Sequence, residues 1–214
     1  MVNELSGVGA IVLAAGHSRR MGAFKPLLPF GHNRTVAETC IANLQEAGVK
    51  EIVVVIGHRA EEMRERLANL NVRFAVNREE WSEMTVSIRR GVEQLSKDLT
   101  DVLIHLVDLP GVSEETITEI ALAPAAVTGE PRLIVPQHDG RGGHPALIDF
   151  AFRDQLLELA PEKGLRSLFD AHRPLVRRFD VASPYILRDM DTWEDYRSLH
   201  EEIFGFAPPA IGNT

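Results

Sequence analysis

The segment Leu13-Ala-Ala-Gly-His-Ser-Arg-Arg-Met-Gly-Ala-Phe-Lys-Pro-Leu-Leu-Pro-Phe-Gly31 brings together the residue types that an anion needs. Ala14, Ala15 and Gly16 carry little or no side chain, so backbone amides can approach a ligand and form an anion-binding concavity. Arg19, Arg20 and Lys25 follow as cationic donors. The whole chain has a formal net charge of -8, so this local sign opposes the global one. That concentration of positive charge suits phosphates.

Spacing excludes two other phosphate motifs. A P-loop places Lys directly after its second Gly, whereas Lys25 comes three residues after Gly22. The dinucleotide fingerprint places its glycines after a strand, whereas Gly7 and Gly9 come at the start of the apolar run that leads into the loop.

Carboxylates are available to complement the loop. The apolar run Val102 to Val107 ends in Asp108-Leu-Pro-Gly, which puts Asp108 at the carboxyl end of a strand, where open α/β sheets bind their ligands. Arg188-Asp-Met-Asp-Thr offers Asp189 and Asp191, which face the same way if the segment is extended. An oxygen-only pair of aspartates suits magnesium better than zinc. The eight histidines include no close pair at metal-ligand spacing. Asp108 is therefore the first candidate magnesium ligand, with Asp189 or Asp191 as the second.

These residues need a scaffold, and the pattern predicts one. Four β-branched runs, Val8 to Leu13, Ile52 to Ile56, Val72 to Val76 and Val102 to Val107, alternate with helical patterns at Val36 to Ala47, Ala60 to Leu67 and Val86 to Leu95. The runs are apolar on both alternating positions, as strands covered by helices on both faces must be. The expectation is a single-domain α/β fold, Rossmann-like, with an open, mainly parallel sheet. After residue 124, shorter strands at Leu133 to Val135, Ala146 to Asp149 and Leu175 to Asp180 extend the sheet. A last helix runs from Thr192 to Phe204, with Thr192 and Asp195 spaced as a capping box. Residues 1–206 form the domain, and Ala207 to Thr214 form a frayed tail.

Composition sets further bounds. With 214 residues, 44% hydrophobic and 25% charged, one substantial core can be buried. The acidic balance disfavours nucleic acid and anionic membranes as partners. No apolar run approaches the roughly 20 residues that cross a bilayer, and the first residues do not resemble a signal peptide. A cytoplasmic protein is expected. The single cysteine, Cys40, reads as a core residue on an apolar helix face.

The string from Leu13 to Gly31 resembles the signature loop of the MobA-like nucleotidyltransferases, a family of the nucleotide-diphospho-sugar transferase fold type. With Ala14 and Ala15 it is most similar to the molybdenum cofactor cytidylyltransferase branch. Four further segments carry the resemblance in the family's order: Asn77 to Gly91, Leu106 to Val112, Gly140 to Leu147 and Arg188 to Tyr196. It implies that Leu13, Ala14, Ala15, Gly16, Ser18, Arg19, Arg20, Lys25, Asn77 and Ser87 contact the nucleotide, with Met84 near the ligands and Trp81 covering apolar surface. It favours Asp191 over Asp189 as partner of Asp108 on Mg2+. It also makes Gly143, His144 and Pro145 the acceptor-binding turn. The chain departs from the family at Glu83, where Gly usually precedes Met84, and the added charge bears on acceptor identity.

The implied reaction is attack by an acceptor phosphate oxygen on the α-phosphorus of a nucleoside triphosphate, with pyrophosphate leaving. Lys25, Arg20 and Asp108 carry the catalytic roles. The resemblance points to CTP as donor and a molybdopterin-type acceptor, with a molybdoenzyme or its chaperone as a possible recipient. The alternatives are a guanylyl- or uridylyltransferase acting on a sugar phosphate or other phospho-metabolite, and a non-catalytic cofactor-binding chaperone.

Overall fold

The computed structural model describes residues 5–18, 20–79 and 83–209. Among them the strands are β1 (Val8–Ala14), β2 (Pro29–Phe30), β3 (Arg34–Thr35), β4 (Glu51–Ile56), β5 (Arg73–Val76), β6 (Asp101–Leu106), β7 (Leu133–His138), β8 (Arg141–Gly142), β9 (Ala146–Asp149) and β10 (Val176–Asp180). The helices are α1 (Val36–Glu46), α2 (Ala60–Arg66), α3 (Met84–Gln94), α4 (Glu114–Ala121), α5 (Arg153–Leu157), α6 (Arg166–Ala171) and α7 (Trp193–Phe204). The main sheet runs β10-β7-β9-β6-β1-β4-β5, with β8 paired to β7. Pairing is parallel at β1–β4, β1–β6, β4–β5 and β7–β10. The sheet is thus the expected mainly parallel α/β arrangement.

Alternating side chains of the central strands bury into two separate cores. Ala10, Val12 and Ala14 of β1 join Leu103, Val36, Ile41, Leu44 and Tyr196 on one face. Ile11 joins Val53, Val55, Ile104, Ile88 and Val92 on the other. Each fully buried aliphatic side chain of this kind is worth about 1.5–3 kcal/mol. This two-sided burial explains why the runs lack a polar face.

Val72 to Val76 is the exception among the four runs. It forms the edge strand β5, begins at Arg73, and leaves Arg73 exposed. A strand with only one neighbour has less to bury, and Arg73 pairs with Glu51 of β4.

The second half differs from a simple extension of the parallel sheet. Strand β9 lies antiparallel between β6 and β7, and β10 then pairs parallel to β7 at the other edge. Helices α4, α5 and α6 fill the connections, and all three are short. Their few turns give too weak a periodicity to compete with the flanking Pro and Gly. The start of α3 lies two residues before the expected Val86, and its N-cap is Glu83.

The capping box expected at Thr192 and Asp195 is present, and a second one caps the first helix. Thr35 and Glu38 form a full capping box on α1, and Thr192 and Asp195 form one on α7. In the latter, the Asp195 amide donates to Thr192 Oγ1 at 3.1 Å and the Thr192 amide donates to Asp195 Oδ2 at 2.8 Å. Cys40 is fully buried, donates its thiol to the Val107 carbonyl, and is held protonated by its burial. Of the tail, residues 210–214 lie outside the described residues. No described helix is long and apolar enough to cross a membrane.

Gly91 lets α3 approach β1. A Cβ there would fall 2.6 Å from Ile11 Cγ2 and 2.9 Å from its Cδ1, and Ile11 is wholly buried in a central strand. Gly91→Ala gains about 1 kcal/mol of helix propensity but overpacks a site that cannot yield, which costs about 1–3 kcal/mol. Urea denaturation is expected to show net destabilisation.

Candidate active site

The parallel register of β1, β4 and β6 brings Leu13, Val55 and Leu106 level near their carboxyl ends. The loops that follow all emerge on one edge, and they build a cavity of about 340 Å³. Leu13, Ala15, Gly16, Ser18 and Lys25 line it from the first loop, Asn77 and Ser87 from one side, and Asp108 from β6. Ala14 is buried at the end of β1 behind this surface, and Arg20 is exposed outside it. Arg19 and Trp81 lie outside the described residues.

The first loop folds on Ser18. Its φ of +51° lies in the left-handed region, which few non-glycine residues adopt. That turn lets the Ser18 hydroxyl accept a bond from the Lys25 amide at 3.1 Å, while its carbonyl accepts from Met21. A buried Lys25 with an exposed approach to the cavity is the result.

Lys25 joins the two carboxylates. Its Nζ lies 2.7 Å from Asp191 Oδ1 and 3.5 Å from Asp108 Oδ2. Arg20 pairs with the other oxygen of Asp191. Lys25 is only 9% exposed, against 76% for Arg20, so the lysine holds the centre and the arginine guards the rim. Hydrogen bonding from Lys25 holds the Asp191 carboxyl below the usual range. Burial pushes the Asp108 carboxyl up, Lys25 opposes that rise, and the neighbouring Asp189 adds to it. The Met190 amide donates to the Asp108 carbonyl at 3.2 Å, which seats the Asp189–Asp191 segment beside β6.

Asp108 and Asp191 fit a hard divalent cation. Both are oxygen donors, and a single ammonium already lies between them. No group of three or more His, Cys, Asp or Glu side chains suited to a metal occurs among the described residues. The remaining coordination positions would fall to phosphate oxygens and water, which is the manner magnesium prefers.

Asn77 is buried and ties the cavity wall together. Its Nδ2 donates to Ser87 Oγ at 2.9 Å, and its Oδ1 accepts from the Glu79 amide. Gly57 follows β4 as Gly16 follows β1. A Cβ at Gly57 would lie 2.9 Å from the Asn77 carbonyl oxygen and 3.0 Å from Ala15. Its signal in the sequence was the same as that of Gly16: a small residue directly after a buried strand. His17, Pro26, Glu79, Leu106 and Val107 also line the cavity and carried no comparable signal.

A larger cavity of about 1050 Å³ adjoins the first, and Met84 lines both. Gly143 and His144 line it, whereas Pro145 is buried behind them. The Ile104 carbonyl can only accept, so His144 donates its Nδ1 proton to it at 3.2 Å. The neutral ring then presents its Nε2 lone pair. Glu83 stands at the mouth of this cavity as the N-cap of α3, where a carboxylate is favoured by the helix dipole.

His105, on β6, is fully buried, and neither ring nitrogen has a hydrogen-bond partner. Burial, aided by the nearby His144, pushes its pKa down from 6.5 to about 3. Burial lowers His144 as well.

A loop of small and basic residues, two carboxylates and a lysine thus meet at the carboxyl edge of an open α/β sheet. The chain belongs to the MobA-like NTP transferase family, whose domain matches residues 10–175, and is thereby a member of a nucleotidyltransferase family. Nicotine blue oxidoreductase of Paenarthrobacter nicotinovorans is 28% identical over 208 residues, covering 92% of this chain and 98% of that protein. Molybdenum cofactor cytidylyltransferase of Escherichia coli K12 is 26% identical over 200 residues, covering 92% and 97%. The structure of Rv0371c in complex with manganese, from Mycobacterium tuberculosis H37Rv, superposes with a TM-score of 0.73 at 25% identity, over 92% of this chain and 98% of that one.

Two outcomes follow for substitution and pH. Asp108 has a raised carboxyl pKa, so the stability its proton confers is full below 3.8 and is lost as pH rises through the folded value. At pH 7 its ionised form therefore costs stability, and Asp108→Asn is expected to keep or raise the Tm while pyrophosphate-releasing activity falls by at least about a hundredfold. His105 has the opposite linkage, with stability present above 6.5 and lost as pH falls toward 3. Each proton taken up on unfolding contributes a slope of about 1.4 kcal/mol per pH unit. Denaturation between pH 6.5 and 4 is expected to show that slope, reduced by about one proton in His105→Leu.

Proposed function

We propose that the protein transfers the CMP group of CTP to the phosphate of a molybdopterin-type acceptor and releases pyrophosphate. The observation that carries this reading is the Lys25 ammonium held between Asp108 and Asp191 beside the Ala14-Ala15-Gly16 loop. Support for the donor and acceptor comes from the relative in Escherichia coli that bears the cytidylyltransferase name.

In this reading the loop amides cradle the triphosphate, and Asn77 and Ser87 border the nucleoside. The acceptor phosphate oxygen forms a bond to the α-phosphorus as the bond to the β-phosphate oxygen breaks, and pyrophosphate leaves. Lys25 neutralises charge that grows at the α-phosphate, and Arg20 steadies the departing pyrophosphate. Asp108 and Asp191 would hold Mg2+, which would supply charge neutralisation between acceptor and donor. Support for a divalent ion comes from the mycobacterial structure, which is a complex with manganese. His144 presents its Nε2 as a hydrogen-bond acceptor toward the second substrate. No protein nucleophile takes part.

A second reading, favoured by the name of the Paenarthrobacter relative, is oxidoreductase chemistry on a dye-like substrate. The transferase reading stands on Lys25, Asp108 and Asp191 converging, an arrangement that electron transfer does not require.

The test is pyrophosphate release with purified protein, Mg2+, molybdopterin and each of CTP, GTP, UTP and ATP. CTP is expected to give turnover that chelation by EDTA removes. Turnover with another triphosphate would replace the donor, and turnover with a sugar phosphate would replace the acceptor. Absence of pyrophosphate in every combination, as a dye-reducing enzyme or a cofactor chaperone would give, overturns the proposal.

A further inference from the structure

The larger cavity carries more positive charge than its turn of Gly143 and His144 accounts for. Lys163, Arg166, Arg173 and Arg178 all line it. Arg166 and Arg173 both pair with Asp170, so their charge is partly answered within the protein. Lys163 and Arg178 have no acidic partner among the described residues. The same lining holds Glu83, Glu162 and Asp170, so its four cations outnumber its carboxylates by one in a chain of net charge -8, and Lys163 and Arg178 are the two left without an ion pair among the described residues.

Arg178 lies on β10, the edge strand of the sheet, where a charged residue often serves only to discourage pairing with another chain. Its placement argues for more than that. Arg178 is exposed, yet a Cβ at Gly142 would come 3.3 Å from its Nη1, so the guanidinium lies over the bare backbone of Gly142. Gly143, next in the chain, is fixed in turn, since a Cβ there would fall 2.3 Å from the Ile186 carbonyl oxygen. The neighbouring Arg177 is engaged elsewhere, with its guanidinium 5.9 Å from the centre of the Phe179 ring. Arg178 is thus held against the same turn that presents His144, on the wall of a space about three times the nucleotide cavity.

We infer that Arg178, with Lys163, binds a second anionic group of the acceptor, remote from the phosphate that reacts. The inference rests on the proposed transferase reading and narrows its acceptor class: a phosphate-bearing molecule with a further negative group at its far end. Arg178 is a specificity-determining residue in this scheme. A guanidinium offers a planar fork to phosphate or carboxylate, and a charged hydrogen bond of this kind is worth roughly a tenfold to hundredfold change in affinity.

The test uses isothermal titration without nucleotide or metal, comparing fructose 6-phosphate with fructose 1,6-bisphosphate as single- and double-ended anions. The wild-type protein is expected to prefer the bisphosphate by at least tenfold. Arg178→Gln should reduce that preference at least fivefold, Arg178→Lys should restore part of it, and Lys25→Met should leave it standing. Equal affinity for the two sugars, or binding of neither, overturns the inference. So does a preference that survives Arg178→Gln and disappears in Lys25→Met, since the second phosphate would then occupy the nucleotide loop. Failure of the transferase reading has a different signature: the bisphosphate preference persists while no triphosphate yields pyrophosphate with molybdopterin.

Discussion

A single ammonium shared by two carboxylates orders this molecule's chemistry. Lys25 comes from the loop after the first strand, Asp108 from the end of a central strand, and Asp191 from the segment before the last helix. Two aspartates converging without that lysine would repel. With it, one residue carries a lowered carboxyl pKa and the other a raised one, because only Asp108 is extensively covered. The sheet's role is to keep the three origins at one edge. Its parallel register does so by aligning β1, β4 and β6 at Leu13, Val55 and Leu106.

Much of this was legible in the residues themselves. The runs Val8 to Leu13 and Val102 to Val107 announce strands because burial on both faces leaves no polar positions, and Thr192 with Asp195 announces a helix start because capping is local. The loop of small and basic residues announces an anion site for the same reason. What could not be read is tertiary. Nothing local places β9 antiparallel between β6 and β7, and helices as short as α5 and α6 leave almost no periodic signal. The pairing of Lys25 with Asp191 rather than with Asp108 alone depends on where α7 docks. Val72 to Val76 reads like its fellow runs, yet its place at an edge is set by the count of strands around it.

The relatives of this chain carry names as different as a cytidylyltransferase and an oxidoreductase. The fold supplies a fixed edge and a shared wall at Met84, and the chemistry belongs to the side chains that project from it. The smaller cavity has little room along its Ala15 and Gly16 wall: a Cβ at Gly57 already meets Ala15 and Asn77. The other side is walled by long, charged side chains on short helices and an edge strand, which can be exchanged without disturbing either core.

The bond from the Gly31 amide to His200 links the end of the first loop to the last helix across 169 residues, and Tyr196 reaches back to Pro29 across 167. Lys25 and Arg20 meet Asp191 over similar separations. Closing such long loops has an entropic cost that local strand and helix contacts do not bear. One of the two carboxylates at the site is thus drawn from near the end of the chain, so whatever loosens α7 from Pro29 and Gly31 also loosens Asp191 from Lys25.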